Sequence, residues 1–378
     1  MKVALVCDWL VNVGGAERVL LELHKMFPDA PIYTSKYNER GIDWFKDAEV
    51  KTGYLQHFPN CTRKIIGPLR SRWFRKLDLT NYDLVISVTG AEAKGVYTGG
   101  GKQTEHKTEH ICFCHVPTQY YWGLYDDYMK DPGFGFLNPL ARLGLKIFVK
   151  PMRKRDLAAS KRPDYYVTIS KYAKEEIKRF YKREATIIYP PVDTKTFLRK
   201  KSNRETVENY FITTSRFVNW KRLDLAIEAC IKTNQKLILI GEGPEEKKLK
   251  RLAKNHKNII FLPKMDQKGL KKYLENAAAY LFPSKEPFGI APVEALAAGC
   301  PVIAYKEGGA LDYIKDKENG LFFNEQTTNS LAAAIEEFLK LKEDKKSFLA
   351  KKISDSALPF DTEIFKAKMK EFIDEKIG

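Results

Sequence analysis

"YFITTSRFVNWKRLDLAIEACIKTNQKLILIG", residues 210–241, reads as a strand, a loop, a helix and a second strand. "YFITTSR" (210–216) is a short run of aromatic and β-branched residues, and "KLILIG" (236–241) is apolar almost throughout and ends in glycine. Between them, "KRLDLAIEACIKT" (221–233) sets its apolar residues at helical spacing. Strands that are apolar on both faces are covered on both, and a helical crossover joins parallel neighbours. The stretch is therefore one βαβ unit of a covered parallel sheet.

The rhythm continues downstream. "GPEEKKLKRLAKNH" (243–256) reads as helix, "IIFLP" (259–263) as strand, "QKGLKKYLENA" (267–277) as helix and "AYLFPS" (279–284) as strand. "PVIAY" (301–305), "GLFF" (320–323) and the helix "NSLAAAIEEFLKLK" (329–342) follow. Upstream there is a second set. "KVALVCD" (2–8) leads through "WLVNVGGAE" into the helix "ERVLLELHKMF" (17–27). Strands are expected at 30–35, 82–88, 110–115 and 165–170, and a helix at "KYAKEEIKRFY" (171–181). Two successive sets of alternating strands and helices imply two doubly wound α/β domains. The two prolines of "IIYPPVDTKTF" (187–197) mark the boundary, which gives domains of 1–190 and 191–357. Pro359 announces a separate terminal helix within 358–378.

Composition agrees with a folded chain. Of 378 residues, 44% are apolar and 12% aromatic, ample for two cores. No apolar run approaches the ~20 residues of a membrane-spanning helix. The opening "MKVALVCDWL" is interrupted too early, by Asp8, for a signal peptide, and reads as the first strand. The six cysteines are scattered, and the close pair Cys112 and Cys114 lacks the second pair of a zinc site. Free thiols in a reducing cytoplasm are expected.

The net charge of +17 points to an anionic partner: nucleic acid, anionic lipid or a phosphorylated substrate. Two clusters mix cations with large apolar residues, "RKIIGPLRSRWFRK" (63–76) and "LNPLARLGLKIFVKPMRKRDLAASKR" (137–162). Such mixtures suit an anionic membrane surface, and equally an amphipathic helix packed on its own core with a solvated basic face. A nucleic-acid-binding protein is the other class that the charge allows, but no RRM, KH, zinc-finger or helix-turn-helix pattern is present.

In open α/β sheets ligands collect beyond the carboxyl ends of the strands. Gly14 and Gly15 lie in such a loop, where glycines let a backbone approach phosphate, although a tight turn alone also explains them. No G-x-G-x-x-G or P-loop pattern occurs. Arg216 closes one strand and Lys221 begins the next helix, two cations suited to a diphosphate leaving group, although two solvated surface cations would read the same way. In "KEPFGIAPVEALAAGCP" (285–301) Pro292 lies near a helix start and Gly299 at its end, so the Phe288–Ile290 backbone meets ligand at a helix N-terminus. Glu286 and Glu294 flank that point. Carboxylates repel phosphate but accept hydrogen bonds from hydroxyls, so a ligand with central phosphates and hydroxyl-bearing rings at both ends fits. A nucleotide sugar has that layout.

These stretches, in this order, resemble the retaining glycosyltransferase family 4. "EPFGIAPVE" is similar to its E-x7-E motif, "VGGAERV" to its N-terminal glycine loop and "SRFVNWKRLDLAI" to its Arg/Lys diphosphate pair. "GEGP" (241–244) resembles the nucleotide-side turn, and "CHVPTQYYW" the segment with a sugar-contacting histidine. The resemblance implies the GT-B fold: two Rossmann-like domains facing a central cleft, with the C-terminal helix crossing back to the N-terminal domain. It implies that Glu286 and the backbone of Phe288, Gly289 and Ile290 hold the donor sugar and phosphate, and that Glu294 takes the ribose. Arg216 and Lys221 would bind the diphosphate, Gly14 and Gly15 approach it, Gly241 and Gly243 line the nucleotide side, and His115 supports the transition state.

The family generally needs no metal, in keeping with the absence of a D-x-D motif. "IIYPPVD" stands where many members have Asn-Gly-Val-Asp, and "FLPKM" replaces a frequent Leu-Gly. The Tyr-Pro-Pro-Val-Asp version is most similar to bacterial mannosyltransferases of O-antigen and exopolysaccharide synthesis. The expected reaction is metal-independent transfer of mannose from GDP-mannose, or of a sugar from a UDP donor, to a lipid-linked saccharide. The enzyme would sit in the cytoplasm, peripheral on the inner membrane face.

Overall fold

The structure, a computed structural model, describes residues 1–59, 66–99, 108–130, 132, 135, 138–199, 209–344 and 347–378. It divides into two compact units, one of Met1–Pro190 with Lys366–Gly378 and one of Pro191–Phe365.

The first unit runs β1 (Val3–Cys7), α1 (Gly15–Met26), β2 (Ile32–Thr34), β3 (Val50–Lys51), α2 (Gly67–Lys76), β4 (Leu84–Thr89) and β5 (Glu109–Cys114). Then come α3 (Tyr125–Lys130), α4 (Asn138–Ala159), β6 (Tyr165–Thr168), α5 (Lys171–Tyr181) and β7 (Thr186–Ile187). The strands form one parallel sheet in the order β3-β2-β1-β4-β5-β6-β7. β1 and β4 are buried along their whole length; β1 is apolar throughout, and the two hydroxyls of β4, Ser87 and Thr89, are hydrogen-bonded to His110 and Asp8. α5 begins where Ser170 accepts the Ala173 amide at 3.0 Å, a side-chain cap that satisfies one of the helix's free donors.

Two buried ion pairs tie α2 and α4 to the loop after β4. Arg70 of α2 donates through Nε to Glu92 at 2.6 Å, and the Tyr120 hydroxyl donates to the same carboxylate at 2.7 Å. Asp156 of α4 pairs with Lys94 at 2.7 Å and accepts from Thr118 (3.0 Å), Trp122 Nε1 (2.7 Å) and the Tyr181 hydroxyl (2.7 Å). This corrects one expectation for the first basic cluster. Arg70 and Phe74 are buried, so Arg70 is a core residue whose charge is neutralised internally. Arg63, Lys64 and Ile65 of that cluster lie outside the described residues, as does Leu137 of the second.

The second unit contains α6 (Thr194–Phe197), β8 (Tyr210–Thr214), α7 (Leu223–Lys232), β9 (Lys236–Ile240), α8 (Glu246–Leu252), β10 (Ile259–Leu262) and α9 (Gln267–Asn276). It continues with β11 (Ala279–Phe282), α10 (Ile290–Ala297), β12 (Val302–Tyr305), β13 (Gly320–Phe323), α11 (Thr328–Lys342) and α12 (Ala350–Asp355). Its parallel sheet is ordered β10-β9-β8-β11-β12-β13. The last helix, α13 (Thr362–Ile377), starts in this unit and ends in the first, where Lys366 pairs with Glu22 of α1 at 3.1 Å. Two covered parallel sheets of Rossmann type are the GT-B architecture.

Candidate functional site

In the second sheet the order reverses between β8 and β11, because the chain winds away from that pair in opposite directions. At such a switch point the two outgoing loops separate and leave a crevice at the strands' carboxyl ends. The loop after β8 carries Arg216 and, in a short 3-10 turn of Asn219–Lys221, Lys221. The loop after β11 carries Ser284, Lys285 and Glu286. The structure brings two predicted residues together there: Lys221 Nζ lies 2.5 Å from Glu286 Oε1, which also accepts from the Ser284 hydroxyl at 2.8 Å. Both partners of the pair are about four-fifths shielded from water, since their side chains are 20% and 18% exposed. Arg216 is exposed and lacks an ion-pair partner among the described residues.

The Glu286–Phe288 backbone is fixed from behind. Gly309 N donates to Glu286 O at 2.8 Å, and the Tyr313 hydroxyl donates to Phe288 O at 2.9 Å. A Cβ on Gly308 would stand 2.3 Å from Glu286 O, and one on Gly309 2.3 Å from Phe288 Cα, so only glycines permit this approach. The pair Gly308–Gly309, with Tyr313 and Ser284, therefore supports the site and was not among the residues singled out from sequence. The sequence signal was the Gly-Gly just past "PVIAY".

Gly289 precedes α10 with φ +93°, and a Cβ there would meet Phe282 Cζ at 2.7 Å. Among the described residues no side chain caps this helix start, so its first amides are not satisfied in that way. Glu294 is buried within α10. Gly241 and Gly243 pack against the backbone of Ser215 and Phe217, which connects the "GEGP" turn to the Arg216 loop; Phe217 N donates to Glu242 O at 2.8 Å.

The remaining predicted residues lie in the first unit. Gly14 caps α1 in an extended conformation, φ −157° and ψ −171°, and Gly15 is the helix's first residue. No positive φ demands glycine at Gly14. His115 follows β5, and its amide donates to Thr89 O at 2.9 Å. The residue is half-buried, its Nε2 is sealed from solvent with no hydrogen-bond partner among the described residues, and its ring meets Phe113 edge-on. Burial lowers its pKa to about 4, against a weaker upward pull from Asp8, so the imidazole is neutral near pH 7.

His110, fully buried with Nε2 2.8 Å from the Ser87 hydroxyl, is pushed down to about 3, again chiefly by burial. Both native pKa values lie below the ordinary 6.5, so the unfolded chain binds more protons at mildly acid pH. The stabilisation is complete above about pH 6.5 and is lost as pH falls through 4 for His115 and 3 for His110. Urea titrations between pH 7 and 4 are expected to show falling stability, with a shallower fall for His115→Gln. An identical slope in that variant would assign the pH dependence elsewhere.

Residues 194–353 match the family model described as glycosyl transferases group 1. An uncharacterized glycosyltransferase of Methanocaldococcus jannaschii is 28% identical over 196 residues, 46% of this chain and 50% of that protein. The chain spans about half the length of the curated relatives that it matches. Among solved structures, sucrose-phosphate synthase from Thermosynechococcus elongatus superposes with a TM-score of 0.73 at 17% identity, covering 99% of both chains. Anabaena Alr3699/HepE in complex with UDP gives 0.69 at 19% identity, covering 99% of this chain and all of that one. At these identities the structural likeness speaks for the fold.

Proposed function

We propose that this protein is a glycosyltransferase that moves mannose from GDP-mannose, with retention of configuration, to a lipid-linked saccharide in cell-surface polysaccharide synthesis. The observation that carries the reading is the Lys221–Glu286 pair at the β8/β11 switch point, with Arg216 beside it in sequence and the uncapped start of α10 after it. The match of residues 194–353 to group 1 glycosyltransferases supports the class.

In this reading Lys221 and Arg216 bind the diphosphate and offset the charge that grows as the sugar C1–O bond breaks. Glu286, released from Lys221, accepts hydrogen bonds from sugar hydroxyls, while the Phe288–Ile290 backbone meets phosphate oxygens. Glu294 takes the ribose, and Gly241 and Gly243 border the nucleotide. The bonding pair of the C1–O bond leaves with the nucleoside diphosphate. The acceptor hydroxyl oxygen bonds C1 from the same face, and its proton passes to a phosphate oxygen of the leaving group. His115, neutral near pH 7, is the residue proposed to support the sugar as positive charge develops there, and Gly14 and Gly15 approach the phosphates. The two cations take the role that a metal ion would otherwise fill, so the reaction needs none.

The donor's base and sugar are inferred from the "IIYPPVD" and "CHVPTQYYW" resemblance. A UDP-sugar is the second reading, because the Anabaena neighbour was crystallised with UDP and with UDP-glucose. The acceptor is placed at the inner membrane face, the protein being peripheral there. No helix among the described residues is long and apolar enough to cross a membrane.

Thermal shift with GDP, UDP, ADP and their sugar conjugates, in chelator, tests the donor. A ligand at about 100 times its Kd stabilises by about 2.7 kcal/mol, which raises Tm by several degrees. GDP and GDP-mannose are expected to do so. A shift with UDP compounds alone replaces the donor and keeps the enzyme class. No shift with any nucleotide overturns the reading and turns attention to nucleic acid.

A further inference from the structure

α4 places two apolar stripes on one helix. The first, Val149, Met152 and Ala159 with the paired Asp156, is buried against the rest of its unit. The second is Leu140, Leu143, Ile147, Phe148 and Pro151, at spacings of 3, 7, 8 and 11 from Leu140. Those offsets lie on one side of a 3.6-residue helix. Leu140, Leu143, Ile147 and Phe148 are 67%, 54%, 58% and 57% exposed. A helix packed on its own core needs one apolar stripe, and an outward-facing second one calls for a partner. Lys146, Lys150 and Lys154, all exposed and four residues apart, run along one edge of the outer stripe.

From this arrangement we infer that α4 lies in the plane of an anionic lipid bilayer. Leu140, Leu143, Ile147 and Phe148 enter the boundary between headgroups and acyl chains, and the lysine row meets lipid phosphates. The inference rests on the proposed lipid-linked acceptor and names the element that brings the enzyme to it. Charge selects the occupant. The single acid of α4 is Asp156, buried and paired with Lys94, so the exposed side of the helix has cations and no carboxylate of its own. A second copy seated on this face would bring lysines against lysines without countercharge, whereas anionic headgroups supply it. α2, the other basic and apolar segment, differs: its Arg70 and Phe74 point into the core and its most exposed large apolar residue, Leu69, is 39% exposed.

The test is flotation of the full-length protein with vesicles of phosphatidylcholine, alone or mixed with phosphatidylglycerol. Two variants accompany it, Ile147→Ser with Phe148→Ser, and Lys146→Glu with Lys150→Glu and Lys154→Glu. Mixed vesicles are expected to carry the native protein, and each variant to lose about tenfold or more in partitioning. Unchanged melting temperatures would show that both variants fold, since every altered side chain is exposed. Loss in the lysine variant alone overturns insertion and leaves adsorption by charge. No binding to either vesicle overturns the inference. So does a native dimer that the Ile147/Phe148 variant dissolves, which would make this face an interface between copies. The nucleotide-induced shift, measured on the same samples, reports separately on the proposed transfer reaction.

Discussion

Replacing Asp156 with alanine is expected to remove about 3–5 kcal/mol of stability, the loss typical of breaking a buried ion pair at one partner. The Lys94 and Asp156 side chains are only 1% and 3% exposed. Alanine at 156 would leave the Lys94 ammonium in a site that water does not reach. It would also remove the acceptor of Trp122 Nε1 and the Tyr181 hydroxyl, each at 2.7 Å, and leave Thr118 Oγ1 with the Ala91 carbonyl at 3.3 Å. An unsatisfied buried donor costs about 1–3 kcal/mol, so these losses add to the stranded charge. Urea unfolding followed by tryptophan fluorescence reads the change. The double variant Asp156→Leu with Lys94→Met should recover a good part, because an apolar pair of similar volume strands no charge. A loss below about 1 kcal/mol in the single variant would mean that Lys94 reaches solvent or another acceptor without unfolding.

If the proposed reaction holds, Lys221→Ala is expected to lower the rate of sugar transfer by about 100- to 1,000-fold, the range for losing one positioned charge-stabilising donor. Lys221 is held at the switch point by Glu286, and the half-buried setting of the pair strengthens its field at a phosphate compared with bulk water. Stability should change little, because Glu286 keeps the Ser284 hydroxyl and its remaining exposure to solvent. Lys221→Arg should recover part of the rate, since it restores charge with a different reach. A loss below tenfold in Lys221→Ala, with nucleotide binding intact, would remove Lys221 from the proposed leaving-group site.

The regular fold was legible because its strands are short apolar runs stopped by glycine, proline or polar loops. "GLFF" and "KYAKEEIKRFY" coincide with β13 and α5 to the residue. The two-residue strands Val50–Lys51 and Thr186–Ile187 were not legible, being too short to show a period and formed by pairing at the sheet's two edges. At the candidate site, residue types at strand ends were readable, but their pairing was not. Lys221 and Glu286 lie 65 positions apart, and only the reversal of strand order sets their loops side by side. The first basic cluster misled at one residue. Charge in sequence reads as surface, yet Arg70 is buried because Glu92, 22 positions on, neutralises it.

Asp8 invites the opposite error. It follows β1 directly, at the first sheet's own point of reversal, where a free carboxylate would suggest acid–base chemistry. Its two oxygens instead receive the Thr89 hydroxyl and the amides of Gly90, Ala91 and Ala93, at 2.8 to 3.1 Å. A carboxylate has about four acceptor directions, and these four donors fill them. Substitution at this position is correspondingly constrained by the hydrogen bonds. Asparagine would turn an NH2 group toward backbone amides, donor against donor, and glutamate would overreach by a methylene. Sequences that keep this loop should keep aspartate whatever sugar they handle, so invariance at position 8 across diverging enzymes would record how the loop is built rather than which reaction it serves.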